Sequence, residues 1–337
     1  MNSQLKMAKK VNQEYFQDEL LDRRERLERS IRGQSDPSQL IQLLQQVDAA
    51  LERLNEGTYG LCQTCQEPIE KERLLIDPLS CFCLDHLTES QQRDLEQDFY
   101  LASRIQGALL PPKESKFGNW DIYYSYLPAG PVSGDYCDLI RLSEEKGQFL
   151  FVLGDVSGKG VSASMLMTHL HAIFRSLISL QLNLDELMDR VNRLFCESTL
   201  SASYTTLICG RAFPNGTIEI ANAGHWPSLL VGKNRMEWIE STGIPLGLFC
   251  EAKYGVDKIQ LHPGDNLLLY TDGLTEASNK TIEYGGSRLQ SIASALESKT
   301  PKRLVDHCLA DLRKFLNGST QTDDLTIMSI QWFGSTA

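Results

Sequence analysis

The sequence predicts an α+β protein, in which a layered domain of strands and helices follows a separate helical segment. Two observations support this prediction. After Pro112, strand-like runs follow one another in groups, and helical patterns come in pairs instead of alternating with single strands. Before Pro112, the chain is rich in Gln, Glu, Arg and Leu, and its apolar residues recur at helical spacing.

The layered domain, residues 112–335, contains six runs that are typical of β-strands: WDIYYSYLPA, QFLFVLGDV, SYTTLICGRAF, TIEIANAG, PSLLVG and DNLLLYTDG. Four further stretches have helical periodicity: SASMLMTHLHAIFRSLISL, DELMDRVNRLFCES, SRLQSIASALES and PKRLVDHCLADLRKFLN. The grouping favours layers of sheet and helix over a strictly alternating parallel sheet.

The helical segment begins with a predicted hairpin of two antiparallel helices, residues 1–57. Its second half carries five apolar residues at spacings of four and three: Leu40, Leu44, Val47, Leu51 and Leu54. This spacing predicts one apolar helix face. The preceding GQSDPSQ, with Gly33 and Pro37, predicts the turn between the two helices.

A linker helix, residues 89–111, is predicted immediately before the layered domain. Its apolar seam stops at the prolines 111 and 112 and consists of Leu95, Phe99, Ala102, Gln106 and Leu109. Such a seam can pack on its own domain or on a second copy of the chain. A homodimer through the linker helix is therefore one of two open expectations.

Composition excludes several classes of partner. Asp and Glu outnumber Lys and Arg by 44 to 33, for a formal charge of −11 in 337 residues. Nucleic-acid and membrane-surface binding need a basic footprint, so we expect neither partner. No apolar run approaches the roughly 20 residues of a membrane span, and the N-terminus lacks a signal-peptide core. We expect a cytoplasmic protein whose nine cysteines are thiols or metal ligands.

A cysteine-rich island, residues 58–88, predicts a zinc site. Cys62-x-x-Cys65 is followed after 17 residues by Cys83-x-x-His86. Two short hairpins of this kind bring four ligands to tetrahedral Zn²⁺, and four protein ligands make such a site structural. Cys81 is a spare thiol beside the second pair.

With the preceding VDAALERLNEGTYG, the island resembles the DksA/TraR zinc-finger family over roughly residues 44–88. His86 departs from the family pattern, because the family commonly has cysteine there. Members of the DksA kind act through acidic residues at a coiled-coil tip that enters RNA polymerase. The corresponding RGQSDPSQL lacks spaced acidic residues, so a transcription regulator is an alternative rather than the main interpretation.

Four aspartates in the layered domain lie at the borders of apolar strands: Asp135 in VSGDYCD, Asp155 in VLGDVSGKG, Asp272 in LLLYTDGLTEA and Asp323 in TDDLTIMSI. We expect each to lie where a strand ends. A single such aspartate is usually a turn residue. Four together predict a site for hard divalent cations, which take carboxylate oxygens from separate segments.

The same segments resemble the metal-dependent protein phosphatases of the PPM family, and specifically the SpoIIE/RsbU branch. SGDYCD, GDVSGKGVSASM, NAGHWP, GIPLGLF, LYTDGLTEA and TDDLT occur in the order of the branch, over roughly residues 100–333. LASRIQGALLPP is similar to its usual lead-in. Ser133 stands where the branch often has glycine. The resemblance implies an αββα sandwich of two antiparallel sheets between helices.

The resemblance also implies a centre of two Mn²⁺ or Mg²⁺ ions. Asp155 would bridge them, the carbonyl of Val156 would add a ligand, Asp135 would bind one ion, and Asp272 and Asp323 would bind the other. Asp155 and Asp272 are then the residues on which catalysis depends. Two cations would screen the phosphate charge and acidify a water that attacks phosphorus in line.

Several neighbours of this centre have open roles. Asp138 and Asp324 are expected to be neighbours rather than ligands, although Asp324 could share the role of Asp323. His225 could protonate the leaving oxygen or brace a turn. Lys159 could contact substrate phosphate or be solvated.

By resemblance, the substrate is a phosphorylated STAS-type anti-sigma-factor antagonist, and the activity is that of a protein-serine/threonine phosphatase. The zinc-bearing segment would be the input module. The remaining alternative is a non-catalytic scaffold that keeps the fold.

Overall fold

The structure, a computed structural model, describes residues 2–31, 37–87, 89–143, 147–199, 203–233, 235–279, 282–296, 300–319 and 321–334. The chain forms two compact units, Met1–Gln97 and Asp98–Ala337. No helix in the described ranges combines the length and apolar content needed to cross a membrane.

The N-terminal unit contains the helices α1 (Asn2–Ile31) and α2 (Ser38–Glu56). They run in opposite directions: the ring of Phe16 lies tilted against that of Tyr59 with centroids 5.6 Å apart, while Arg24 pairs with Asp48 at 2.8 Å. Their shared core consists of Leu20, Leu27, Val47 and Ala50, packed by partly buried Leu40, Leu44, Leu51 and Leu54. The predicted apolar face of α2 is confirmed, whereas residues 32–36 of the predicted turn lie outside the described residues.

The rest of this unit is a short, irregular segment. It contains α3 (Lys71–Ile76) and a 3₁₀ turn, Leu84–His86. Its small core is formed by Phe16, Cys62, Ile69, Leu74 and Cys83. So few apolar residues give limited stability without a cross-link.

The helix α4 (Glu89–Leu109) begins in the N-terminal unit and continues into the second unit. Its predicted seam is the less exposed face, and Gln106 is buried. Three large apolar side chains lie outside that seam and are exposed: Tyr100, Leu101 and Ile105. The helix therefore has two apolar surfaces, of which the sequence pattern indicated one.

The second unit contains eleven strands in the described ranges: β1 (Glu114–Phe117), β2 (Trp120–Leu127), β3 (Asp135–Ser143), β4 (Gln148–Val156), β5 (Thr205–Ala212), β6 (Thr217–Ala223), β7 (Ser228–Val231), β8 (Met236–Ile239), β9 (Asp257–Gln260), β10 (Asn266–Tyr270) and β11 (Leu325–Trp332). One antiparallel sheet has the order β1-β2-β11-β10-β7-β8 and the other β3-β4-β5-β6-β9.

The sheets pack face to face around an apolar core that includes Trp120, Phe149, Phe151 and Met328. The helices α5 (Gly160–Leu177) and α6 (Leu184–Ser198) cover the five-stranded sheet. The short α7 (Asp272–Thr275) follows β10, and α8 (Gly286–Ala295) and α9 (Pro301–Leu316) cover the six-stranded sheet. The predicted α+β sandwich with helices on both outer faces is confirmed.

Four of the five strands without a strand prediction lie at the edges of the two sheets. The six predicted runs became β2, β4, β5, β6, β7 and β10, all of which have a strand on either side. The four edge strands, β1, β3, β8 and β9, had no strand prediction, and neither had β11 as a whole. Edge strands are often short and polar, as ESKF and DKIQ are here, so their apolar signal is weak.

Candidate metal centre and active site

The four aspartates lie at one edge of the sandwich. Because neighbouring strands are antiparallel, some strands end at this edge and others begin there. Asp155 is the penultimate residue of β4, and Asp272 follows β10 at the start of α7. Asp135 instead opens β3, and Asp323 precedes β11. The expectation that all four follow strand ends was wrong for Asp135 and Asp323, because antiparallel neighbours place starts and ends at the same edge.

Asp135 joins the two sheets at this edge. It is 1% exposed, and its Oδ2 accepts hydrogen bonds from the hydroxyls of Thr271 at 3.0 Å and Thr326 at 2.5 Å. Both threonines border the other sheet. Its Oδ1 is also buried, and no donor among the described residues lies within hydrogen-bonding distance of it. A buried carboxylate oxygen without a partner is costly and indicates a missing ligand.

Asp155 lies directly opposite Asp135 in the β3–β4 register. The main chain here is fixed by the hydroxyl of Thr205, which donates to the carbonyl oxygen of Asp155 at 2.7 Å. Gly134 is tightly packed against the same strand. A Cβ at Gly134 would lie 3.3 Å from the carbonyl oxygen of Val156 and 3.6 Å from Oδ1 of Asp155. Both oxygens therefore face the loop that precedes Asp135.

Asp272 and Asp323 belong to segments that touch through their main chains. A Cβ at Gly273 would lie 1.9 Å from the carbonyl oxygen of Asp324, so only glycine fits after Asp272. Lys159, in the loop after β4, donates to Oδ2 of Asp323 at 2.8 Å. These contacts bring the β4, β10 and β11 borders to one place.

The electrostatics of this edge are those of crowded, buried carboxylates. Burial, followed by the charges of Asp272 and Asp323, raises the pKa of Asp155 from 3.8 to about 7. Burial and Asp323 raise the pKa of Asp272 to about 6. Burial and Asp155 also raise the pKa of Asp135. Each carboxylate disfavours ionisation of its neighbours, which is the situation that bound cations relieve.

The donor set fits hard divalent cations. It offers carboxylate oxygens, a main-chain carbonyl and the unpartnered Oδ1 of Asp135, which are ligand types that Mn²⁺ and Mg²⁺ accept. The carboxylates are loosely grouped, since within the described ranges no three of them have oxygens that all lie within 4.8 Å of one another.

His225 braces the edge rather than facing an open proton path. It is 3% exposed, and its ring nitrogens contact the hydroxyl of Thr206 at 2.8 Å and the carbonyl oxygen of Tyr270 at 3.0 Å. Its main-chain N–H donates to Asn222 at 2.8 Å. Burial lowers the pKa of His225 to about 4. The ring is neutral at physiological pH and ties β5 to the end of β10, which supports the bracing interpretation.

Asp324 and Asp138 are engaged elsewhere. The two carboxylate oxygens of Asp324 accept main-chain N–H bonds from Ala129 at 2.7 Å and Gly134 at 2.8 Å, so Asp324 holds the loop before Asp135. Asp138 is buried and accepts two hydrogen bonds from Arg175 on α5, at 2.9 Å and 2.6 Å. Both are structural neighbours of the candidate centre.

A cleft of about 370 Å³ opens beside the aspartates and is lined in part by Asp155, Asp272 and His225. Tyr204 and Trp226 form exposed aromatic walls of this cleft. Neither these two aromatic residues nor the hydroxyls of Thr271 and Thr326 could be recognised as functional from a pattern of their own. The only available signal was their adjacency to the aspartate motifs.

The cysteine island forms a compact ligand group. One ligand atom from each of Cys62, Cys65, Cys83 and His86 lies within 4.8 Å of the others. Sγ of Cys83 is 3.8 Å from Sγ of Cys65 and 3.2 Å from Nδ1 of His86. Burial alone would raise the pKa of Cys62, but main-chain N–H groups, including that of Cys65, lower it to about 6. A stabilised thiolate in such a group fits a zinc ligand.

Comparison with known proteins identifies the class of the second unit. The SpoIIE family, described as Stage II sporulation protein E, matches residues 145–333, which is more than half of the chain. The chain belongs to this family of PP2C-type phosphatase domains, and its homologues include serine phosphatases.

Two curated relatives and one solved structure illustrate the likeness. Protein IcfG of Synechocystis sp. is 26% identical over 67% of this chain, but the match spans 40% of IcfG. Phosphoserine phosphatase RsbU of Bacillus subtilis is 23% identical over 71% of each protein. The crystal structure of the RsbU and RsbW domains of Rv1364c from Mycobacterium tuberculosis has a TM-score of 0.56 at 29% identity, covering 67% of this chain and 63% of that one.

Proposed function

We propose that this chain is a metal-dependent phosphatase that removes phosphate from phosphoserine and phosphothreonine in a protein. One observation carries the proposal: Asp135, Asp155, Asp272 and Asp323 come from both sheets and meet at one edge, with an unpartnered buried oxygen among them. Membership of the SpoIIE family supports the same chemistry.

In this proposal two Mn²⁺ or Mg²⁺ ions would be held by the carboxylates of the four aspartates: Asp135, Asp155, Asp272 and Asp323. Asp155 would be the carboxylate shared between the ions, and the main-chain carbonyl of Val156 would be a further ligand. When bound, the ions screen the phosphate and supply a water acidic enough to attack phosphorus near neutral pH.

The chain's own residues prepare the site for this reaction. His225 keeps the β5 and β10 borders in place through its two ring contacts. Lys159 presents an ammonium at the rim, where it can exchange its contact with Asp323 for one with substrate phosphate. Asp324 fixes the loop before Asp135 from one side.

The direct test is Mn²⁺-dependent hydrolysis of p-nitrophenyl phosphate and of a phosphoserine peptide by the purified full-length chain. We expect both substrates to be hydrolysed with Mn²⁺ and neither with EDTA. A protein that binds Mn²⁺ but hydrolyses neither substrate would contradict the proposal and favour the scaffold alternative.

We propose a phosphorylated STAS-type anti-sigma-factor antagonist as the physiological substrate, since the SpoIIE-family relatives include RsbU. Incubation with phosphorylated STAS-domain proteins from the same genome tests this. Rapid release of phosphate from one of them, and not from phosphocasein, is the expected result. Equal rates on all phosphoproteins would contradict a dedicated substrate.

We propose that the cysteine group holds one structural Zn²⁺, in a segment of the DksA/TraR zinc-finger kind. The compact group of four ligand atoms supports this. Elemental analysis of the purified chain should give one zinc per chain, and Cys62→Ser should lose it. A zinc-free chain with the same folded N-terminal unit would overturn the assignment.

We propose that a second copy of the chain packs on α4. Tyr100, Leu101 and Ile105 are each more than half exposed, and an apolar face on a helix favours association. Analytical ultracentrifugation should show a dimer for the native chain and a monomer for Leu101→Glu. A native chain that stays monomeric throughout would contradict the dimer.

A further inference from the structure

Gln106 is a buried residue of α4 whose side-chain amide forms hydrogen bonds with the main chain of one residue in the loop before β3. It is 5% exposed. Its Nε2 donates to the carbonyl oxygen of Ser133 at 2.6 Å, and its Oε1 accepts from the main-chain N–H of Ser133 at 3.0 Å. Both ends of the amide are therefore used on a single residue. Two hydrogen bonds to one residue fix its orientation as well as its position.

Further hydrogen bonds connect Ser133 to the candidate metal centre. The Oγ of Ser133, which is fully buried, accepts the main-chain N–H of Asp135 at 3.1 Å. Between them, the N–H of Gly134 donates to Asp324 at 2.8 Å. The loop that precedes β3 is thus fixed by the hydrogen bond to Asp324 and by the two hydrogen bonds to Gln106.

We propose that Gln106 is a positioning residue for the metal centre, acting through Ser133 to place the carboxylate of Asp135. This inference rests on the proposed function, because it assumes that Asp135 serves a cation. Gln106 itself contacts neither cation nor substrate. Residues that orient a ligand in this way are normally needed for full metal affinity.

Asp135 is also held by the antiparallel pairing of β3 with β4, in which it lies opposite Asp155. Its Oδ2 is bonded to two threonine hydroxyls, while Oδ1 has no partner among the described residues. A useful ligand position must be held to within about 0.5 Å. The pairing with β4 fixes Asp135 from the strand side, and the Gln106–Ser133 pair fixes the segment from which the chain enters β3.

The experiment compares Gln106→Ala and Gln106→Met with Gln97→Ala in the full-length chain. Gln97 lies on the same helix and is exposed, so its variant controls for the loss of one glutamine from α4. Gln106→Met keeps the volume and removes both hydrogen bonds. Mn²⁺ affinity is measured by isothermal titration calorimetry, the thermal midpoint without metal by calorimetry, and exchange of the 133–135 amides by hydrogen–deuterium exchange.

We expect both Gln106 variants to bind Mn²⁺ about tenfold more weakly than the native chain, with faster exchange at residues 133–135. Gln97→Ala should match the native chain in both measurements. The same variants should need about tenfold more Mn²⁺ for half-maximal hydrolysis of p-nitrophenyl phosphate.

Other outcomes would overturn the inference. Native Mn²⁺ affinity in Gln106→Met would show that only packing matters, even if Gln106→Ala failed to fold. A lower thermal midpoint with native affinity would show a purely structural role. Failure of the native chain to bind Mn²⁺ would instead overturn the proposed function, and this inference with it.

Discussion

The cysteine group and the aspartate cluster are both candidate metal centres, but they are assembled in opposite ways. The ligands of the first lie between residues 62 and 86, and their atoms are within 4.8 Å of one another. The aspartates are spread from residue 135 to residue 323, and each sheet contributes two of them. One centre depends on local turns, and the other depends on the whole sandwich.

Main-chain hydrogen bonds within the cysteine-rich segment organise the cysteine group. The N–H of Cys62 donates to the carbonyl of Glu67 at 2.8 Å, and the N–H of Gln63 donates to Cys81 at 2.9 Å. These contacts, together with the packing of Phe16 from α1, hold the sulfurs close to one another. The aspartates converge only after the two sheets have packed, and their convergence buries like charges. We infer that zinc would stabilise its segment, whereas the aspartates reduce stability until cations bind.

The largest expected effect is the loss of activity on removing a central aspartate. Asp155→Ala or Asp272→Ala should lower hydrolysis of p-nitrophenyl phosphate with Mn²⁺ by about 10³-fold or more, equivalent to at least about 4 kcal/mol. The thermal midpoint without metal should not fall, because a buried repulsion is removed. Asp257→Ala, at an exposed aspartate on β9, is the control and should retain native activity. Full activity of either cluster variant would refute the assignment.

The next largest effect is expected on removal of zinc from the cysteine group. Removal of zinc with a chelator, or Cys62→Ser, should unfold residues 58–88, since their own apolar core is small. Hydrogen exchange should show lost protection there and unchanged protection in β4 and β10. Unchanged protection of the zinc-free segment would mean that the two centres do not differ as the comparison requires.

The pH dependence of the stability of the metal-free protein tests whether the buried aspartates repel one another, which is a feature that distinguishes them from the cysteine group. The pKa of Asp155 rises from 3.8 to about 7 on folding, so the folded state binds its proton more tightly than the unfolded state does. The contribution of Asp155 to stability is therefore complete below about pH 4 and is lost as pH rises to about 7.

Asp155→Asn should remove this contribution. Thermal unfolding in EDTA from pH 5 to pH 8 should give a shallower decline for the variant than for the native chain. Mn²⁺ binding to the native chain should tighten over the same range as proton competition disappears. Parallel stability curves for the two proteins would contradict the burial of a repelled carboxylate.

The smallest effect is expected at His225. Its two ring contacts and buried position predict that His225→Ala costs about 1–3 kcal/mol of unfolding free energy. Activity should fall less than it does in Asp155→Ala. The pH profile of hydrolysis between pH 5 and pH 8 should keep its shape, because a pKa of about 4 keeps the ring neutral there. If His225→Ala kept native stability but its pH profile lost the acidic or the basic limb, His225 would instead be identified as the proton donor.

Apart from the buried central strand β11, the success of the strand predictions followed the position of each strand in its sheet. Strands with neighbours on both sides are apolar runs, so six of them could be recognised from residue pattern. Edge strands such as β1 and β9 are short and polar, and β3 contains Asp135, Asp138 and Arg141, so their patterns resemble loops. The paired cysteines were recognisable because their spacing alone brings them together.

Some features of the aspartate edge were beyond any local pattern. Gly273 is required because its segment meets the carbonyl of Asp324, 51 residues later in the chain. Gln106 was assigned to an apolar seam, yet its amide is fully used on Ser133, 27 residues away. Neither contact can be inferred from spacing along the chain, because both depend on how distant segments pack.

The amino-acid sequence by itself predicted the layered fold, the helical pair at the N-terminus and the spacing of the cysteine ligands, and its motifs indicated the four aspartates by resemblance. The fold, the helices and the cysteine spacing follow from periodicity and short spacing, which act over a few residues. Only the tertiary structure decided that two aspartates open strands, that Asp324 and His225 brace the edge, and that Gln106 holds the loop before Asp135. Those roles arise where separate segments exclude water together and must satisfy each other's polar groups, and local sequence does not specify such partners.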